Sequence, residues 1–169
     1  MRIDPTARLH LKTFFVGEGI EIGANAQLGA GHRGLEGPTC SIHEHVEIGS
    51  DAEIGYPFDV GAMSQIGANT RIGGGGSIGS NVWIGCHVVI GDCVEIGDSV
   101  VIGDNAEIES YAHVGAAARI GHHACVSDSV QIGDHAVIGR WARVLSAVPR
   151  GACVAPGTEH RGVALRDEQ

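Results

Sequence analysis

The chain has 169 residues, 4% of them aromatic, a formal net charge of −9 and a single lysine, Lys12. That length suits one domain whose core needs neither disulfides nor metal, and so weak a basic field excludes nucleic acid and anionic membranes as partners. The five cysteines form no C-x-x-C pair and are odd in number, so they read as reduced thiols. No basic leader followed by an apolar run opens the chain, and no stretch nears the about 18 apolar residues of a membrane span, so a cytoplasmic, non-membrane protein is expected.

In chain order, residues 1–15 carry no repeat and are expected to form an N-terminal cap. A six-residue beat starts at Val16-Gly17 and continues through Ile22-Gly23 and Leu28-Gly29. The segment 29–41, "GAGHRGLEGPTCS", then shifts the phase by two, and its Gly and Pro predict a looped-out segment. From Ile42 to Val144 every sixth residue is Ile or Val through 18 consecutive hexads, followed by Gly in 14 of them; His43, Glu109, Ser127 and Leu145 are the departures. A second, mostly small residue sits four places after each Ile or Val, as in Val82, Val88, Ala106 and Ala112. Two apolar positions per six residues fit neither a helix nor a long strand, but do fit short strands joined by tight turns. Gly73–Gly76 is expected to be a flexible turn, without the spacing of a phosphate loop. Residues 149–169 are expected to form a C-terminal segment after the coils of 16–148.

A unit too short to bury its own face must stack on copies of itself, so a solenoid is required. The order aliphatic, Gly, two polar residues, small residue resembles the repeat of the hexapeptide-repeat acyltransferases, and "VPRGACVAPG" from Val148 to Gly157 is similar to their closing V-P-x-G segment. The resemblance implies an all-β fold: a single-domain left-handed parallel β-helix, with three hexads per 18-residue coil and about seven coils. It also implies a homotrimer with sites in clefts between subunits, and transfer of an acyl group to a small acceptor from acetyl-CoA, with no metal.

With 18 residues per coil, positions 18 apart stack. One outward column runs Glu47, Gln65, Trp83, Val101, Arg119, Val137, and its apolar members suggest a subunit contact. Another runs Cys86, Asp104, His122, Arg140. In the resembling enzymes the general base is a histidine two places after an aliphatic strand residue, as His122 is after Ile120, and Asp104 would orient its ring. His123 stands where that family prefers an acid, and polar residues fill this turn throughout, so a purely structural His122 is the plain alternative. His113, stacked between Glu95 and Gln131, is a second candidate.

Arg140, Arg143 and Arg150 lie in a window, 135–158, without Asp or Glu; they are expected to hold coenzyme A phosphates, or else to balance the acidic tail. His32, Arg33 and Glu36 in the looped-out segment are candidates for holding the acceptor. Glu109 and Ser127 stack where Gly is usual, with no chemical role assigned. Two other classes fit the fold. One is a γ-carbonic-anhydrase-like metalloenzyme, disfavoured because Ser127 stands where a second zinc histidine would follow Ile-Gly-His. The other is a non-catalytic scaffold.

Overall fold

The computed structural model describes residues 1–10, 14–30 and 40–162. Those residues form a three-sided parallel β-helix of about eight turns. Face A has nine strands, from Arg2–Ile3 through Glu21–Ile22 and on to Cys153–Val154; face B has nine, from Arg8–Leu9 to Glu159–His160. Face C has seven, from Phe14–Val16 to Gln131–Ile132, extended by a parallel bridge between Ile132 and Val148. The chain visits A, B and C in turn and pairs each strand with the one a turn away.

Most strands are two residues long, one outward and one inward, which is why one branched aliphatic per hexad suffices. Ile48, Ile66, Ile84, Ile102, Ile120 and Ile138 stack in register inside face A, all nearly inaccessible to water. The second residue of nearly every hexad is also buried at the corner. Two of these positions are polar, Ser64 and Thr70. Each hydroxyl donates to a carbonyl of a neighbouring corner, Gly79 or Gly85, and accepts an amide from the next turn, so neither is buried unpaired.

Most corners turn through one left-handed residue, with φ from 55° at Asn25 to 61° at Trp141 for the non-glycine residues and up to 80° at Gly75 where the position is glycine. This conformation points its amide at the preceding turn: His87 donates to the Ala68 carbonyl at 3.0 Å, and His123 to that of Asp104 at 3.1 Å.

The coils extend beyond both expected limits. Residues 2–9 already pair in faces A and B instead of forming a separate cap, and Ile3 pairs with Ile22. This first turn is one residue longer than 18, and Ile3 and Leu9 lack the following glycine, so no beat showed in the sequence. Its corner is closed by side chains: Asp4 accepts from the amide and hydroxyl of Thr6, which holds the Asp4 carboxyl below its usual pKa. At the other end, strands Cys153–Val154 and Glu159–His160 continue faces A and B past residue 148. Val148 follows Val144 by four residues instead of six, which hid that turn from a sixfold count.

Val16 pairs with Ile42, so eight residues beyond the usual 18 leave the ladder, as the phase slip requires. The excursion is narrower than 29–41, because Gln27–Ala30 and Cys40–Ile42 are strands; residues 31–39 lie outside the described residues. Gly73–Gly76 is not a loose turn. A Cβ on Gly74 would lie 2.1 Å from the Tyr56 carbonyl oxygen and one on Gly76 2.2 Å from that of Val94, so the glycines are there to let adjacent turns approach.

Candidate functional site

The corners between faces contain a repeated device. The second residue after the inward aliphatic presents an amide that the turn below leaves free, and the residue 18 places later caps it. Asp92 Oδ1 accepts from the Gly74 amide, Asp98 from Ser80, Asp104 from Cys86 and Asp134 from Ala116, at 2.8–3.0 Å, while Ser110 Oγ accepts from Asp92. Glu109 makes the reverse splice, from the earlier turn to the later one, accepting from the Asp128 amide at 2.9 Å, which explains an acid where glycine is usual. These bonds splice successive turns where no strand ladder reaches.

His122 belongs to this series. Asp104, His122 and Arg140 stand on successive rungs of the A–B corner, as the spacing predicts. The Asp104 amide donates to His122 Nδ1 at 3.0 Å, and the Asp104 carboxylate, 3.5 Å from that nitrogen, is bonded to the Cys86 amide. A neutral imidazole accepting at Nδ1 carries its proton on Nε2. The outward nitrogen of His122 is then a donor. Replacing His122 by alanine is expected to lower the unfolding free energy by about 1 kcal/mol, the usual worth of one such bond, and asparagine, whose oxygen can accept, to restore most of it. Urea unfolding of the two variants checks this.

His113 has the opposite arrangement. It projects from face C, paired in register between Glu95 and Gln131, and Nδ1 donates to Glu95 Oε2 at 3.2 Å. With its proton held at Nδ1, the ring leaves an unprotonated Nε2 toward solvent. Both side chains are more than half exposed. Down the same column lie Ser77, Asp59 and Ser41, and His43 Nε2 lies 3.3 Å from Asp59 Oδ1. A shallow groove lies beside this column toward the C–A corner, from His43 and Asp59 past Ser77 to Asp98 and Ala116; His113 and Glu95 stand outside its lining. The His43–Asp59 pair joins a corner to a strand at a separation of 16, so a step of 18 does not find it.

The three arginines do not share one corner. Arg140 sits at the A–B corner, Arg143 on face B and Arg150 at the C–A corner, where its backbone stacks on Gly133. Arg143 reaches back to the Cys125 thiol. Burial, then the nearby Glu107 and Glu109, raise that thiol's pKa above the usual value, so it is neutral near pH 7. His32, Arg33 and Glu36 lie outside the described residues. Among the described residues no group of three His, Cys, Asp or Glu side chains is placed to hold a metal ion. Trp83, Val101 and Val137 are exposed on face A, as their column predicts, with Arg119 between them.

Residues 75–110 match the family described as bacterial transferase hexapeptide (six repeats). No curated protein sequence matches the chain. Among solved structures, the UDP-N-acetylglucosamine acyltransferase from Campylobacter jejuni is similar with a TM-score of 0.71 at 18% identity, over 87% of this chain and 68% of that one. The acetyltransferase domain of PglB from Neisseria gonorrhoeae, in complex with acetyl coenzyme A, gives 0.63 at 21% identity, over 68% of this chain and 55% of that one. The Francisella novicida UDP-N-acetylglucosamine acyltransferase gives 0.62 at 20% identity, over 91% and 66%. This chain therefore spans between about half and two thirds of those neighbours' lengths. It shares the left-handed parallel β-helix fold of those transferases, and residues 75–110 carry the hexapeptide repeat.

Proposed function

We propose that this protein is an acyltransferase that moves an acyl group, acetyl in the simplest case, from a coenzyme A thioester to a hydroxyl or amine of a small acceptor such as a sugar or amino acid derivative. The observation that carries the proposal is the His113–Glu95 pair on an outer face of a hexapeptide β-helix. His113 Nε2 takes the proton from the acceptor as its oxygen or nitrogen attacks the thioester carbon. Glu95 keeps the ring in the required tautomer and stabilises the imidazolium that forms. Collapse of the tetrahedral intermediate breaks the carbon–sulfur bond, and the proton passes from His113 to the leaving thiolate. Backbone amides would steady the oxyanion. This assignment prefers His113 to His122 because the corner amide occupies the Nδ1 lone pair of neutral His122 and leaves its outward Nε2 protonated, with no lone pair to accept the acceptor's proton.

Acyl transfer as the reaction class is supported by the names of the three structural neighbours, and a coenzyme A donor by the bound acetyl coenzyme A of one of them. The open geometry of face C calls for a second wall, which a homotrimer would supply. Face A, whose exposed Trp83, Val101 and Val137 suit a subunit contact, adjoins face C at the C–A corner. A ring of three copies closed through face A would therefore bring a neighbour to the edge of the His113 site.

Thermal unfolding with added acetyl-CoA tests donor binding. Ligand at about 100 times its Kd stabilises the folded state by about 2.7 kcal/mol, which for a chain of this size raises Tm by about 5 °C or more. Unchanged melting with both acetyl-CoA and coenzyme A at millimolar concentration would contradict the proposal.

A further inference from the structure

At the A–B corner the left-handed position is filled on successive turns by Asn105, His123, Trp141 and Gly157. The backbone keeps one pattern along this column: the Asn105 amide donates to Cys86, His123 to Asp104, Trp141 to His122 and Gly157 to Arg140. Side chains here point outward one above another. The His123 and Trp141 rings lie 3.8 Å apart and within 2° of parallel, so the imidazole backs one face of the indole and fixes its plane. The next rung has no side chain. A Cβ on Gly157 would meet no described atom within 4 Å, and Trp141 is 63% exposed. Among the described residues the stack therefore ends in a bare indole face with one rung of open space beside it. Arg140, exposed, precedes Trp141 at the same corner.

We propose that this slot binds the nucleobase of a phosphate-bearing nucleotide, stacked on Trp141 over the Gly157 backbone, with Arg140 taking a phosphate. The chemistry selects the ligand. A rigid aromatic platform with one free face and an open rung beside it suits a flat heteroaromatic ring, which can stack over its whole area. An arginine fork beside it favours an attached phosphate. His123 acts through Trp141 as a positioning residue. Two nucleotides meet the description, the adenosine 3′,5′-bisphosphate end of a coenzyme A donor and the uridine diphosphate of a nucleotide-sugar acceptor. The first rests on the acyl-transfer proposal; the slot itself does not.

Calorimetric titration of the full chain with adenosine 3′,5′-bisphosphate, and separately with UDP, tests the slot and identifies the source. One of the two should bind, and Trp141→Leu should weaken it about tenfold or more, while Trp141→Phe retains most of the affinity. Gly157→Asn is the decisive second variant. Asparagine holds this same position, at φ near 58°, at Asn69 and Asn105, so the fold tolerates it while its side chain fills the gap. It should weaken binding as much as Trp141→Leu, and Arg140→Gln should reduce both the affinity and its salt dependence. Failure of the parent to bind either nucleotide at millimolar concentration, or unchanged affinity in Trp141→Leu and Gly157→Asn, would overturn the proposal. If acetyl-CoA binds parent and Trp141→Leu equally, the slot is refuted as the donor's base site while acyl transfer stands. UDP binding lost in both variants, with no acetyl-CoA binding to the parent, would support the slot and refute the donor.

Discussion

Replacing His113 by alanine is expected to lower the rate of acyl transfer by about 10²- to 10⁴-fold, the usual worth of a positioned general base, while leaving thermal stability and acetyl-CoA binding close to the parent's. The side chain lies outside the core, and its one described bond is to the exposed carboxylate of Glu95, so its removal opens no cavity. Glu95→Gln should cost a smaller factor, because the amide oxygen can still accept from Nδ1 but no longer stabilises the imidazolium. His122→Ala provides the contrast. It should reduce stability slightly and leave turnover within a few-fold, since His122 serves the corner as Asp92, Asp98 and Asp134 do. Steady-state rates of the three variants, measured with thiol release from acetyl-CoA, separate the roles. A large loss in His122→Ala with none in His113→Ala would reverse them.

Ile102→Ala is expected to reduce the unfolding free energy by about 2–5 kcal/mol. Ile102 is fully buried, in register between Ile84 and Ile120 midway along face A. The loss has two parts, the transfer of the removed carbons and the cavity left behind. A ladder of parallel strands holds the turns above and below at a fixed spacing of about 4.8 Å, so the cavity cannot close by collapse, which pushes the cost toward the upper end. Glu107→Ala, on an outward position one strand later, should change stability by less than about 0.5 kcal/mol. Urea denaturation of both variants checks the difference; equal effects would mean that the inward ladder does not carry the stability of the fold.

The architecture was legible because one rule generates it. Eighteen hexads with an unbroken Ile or Val fix which residues point inward, and the step of 18 correctly stacks Glu95 under His113 and Asp104 under His122. It failed where the turn length changes. The first turn, closed by Asp4 and Thr6 instead of glycine, and the last, short by two at residues 144–148, carry no sixfold signal. The site was legible only as columns. Spacing placed a carboxylate next to each histidine but could not say which atom of the lower residue faces the ring. For His113 it is the side chain of Glu95; for His122 it is the backbone amide of Asp104, and that difference decides the tautomer. The arginine window shows a different limit of reading along the chain. Closeness in sequence suggested one anion site, whereas a chain that turns a corner every six residues puts Arg140 and Arg150 at different corners. The His123–Trp141 stack obeys the step of 18 and could have been found that way.

The central claim is that turn-to-turn hydrogen bonding gives the two histidines opposite tautomers, and so makes His113 the base. Long-range nitrogen–proton correlation spectra of the imidazoles, taken above the pH at which both rings are neutral and assigned with His113→Asn and His122→Asn, measure this directly. The structure predicts the proton on Nδ1 in His113 and on Nε2 in His122. A proton on Nε2 of His113, or one on Nδ1 of His122, would contradict it.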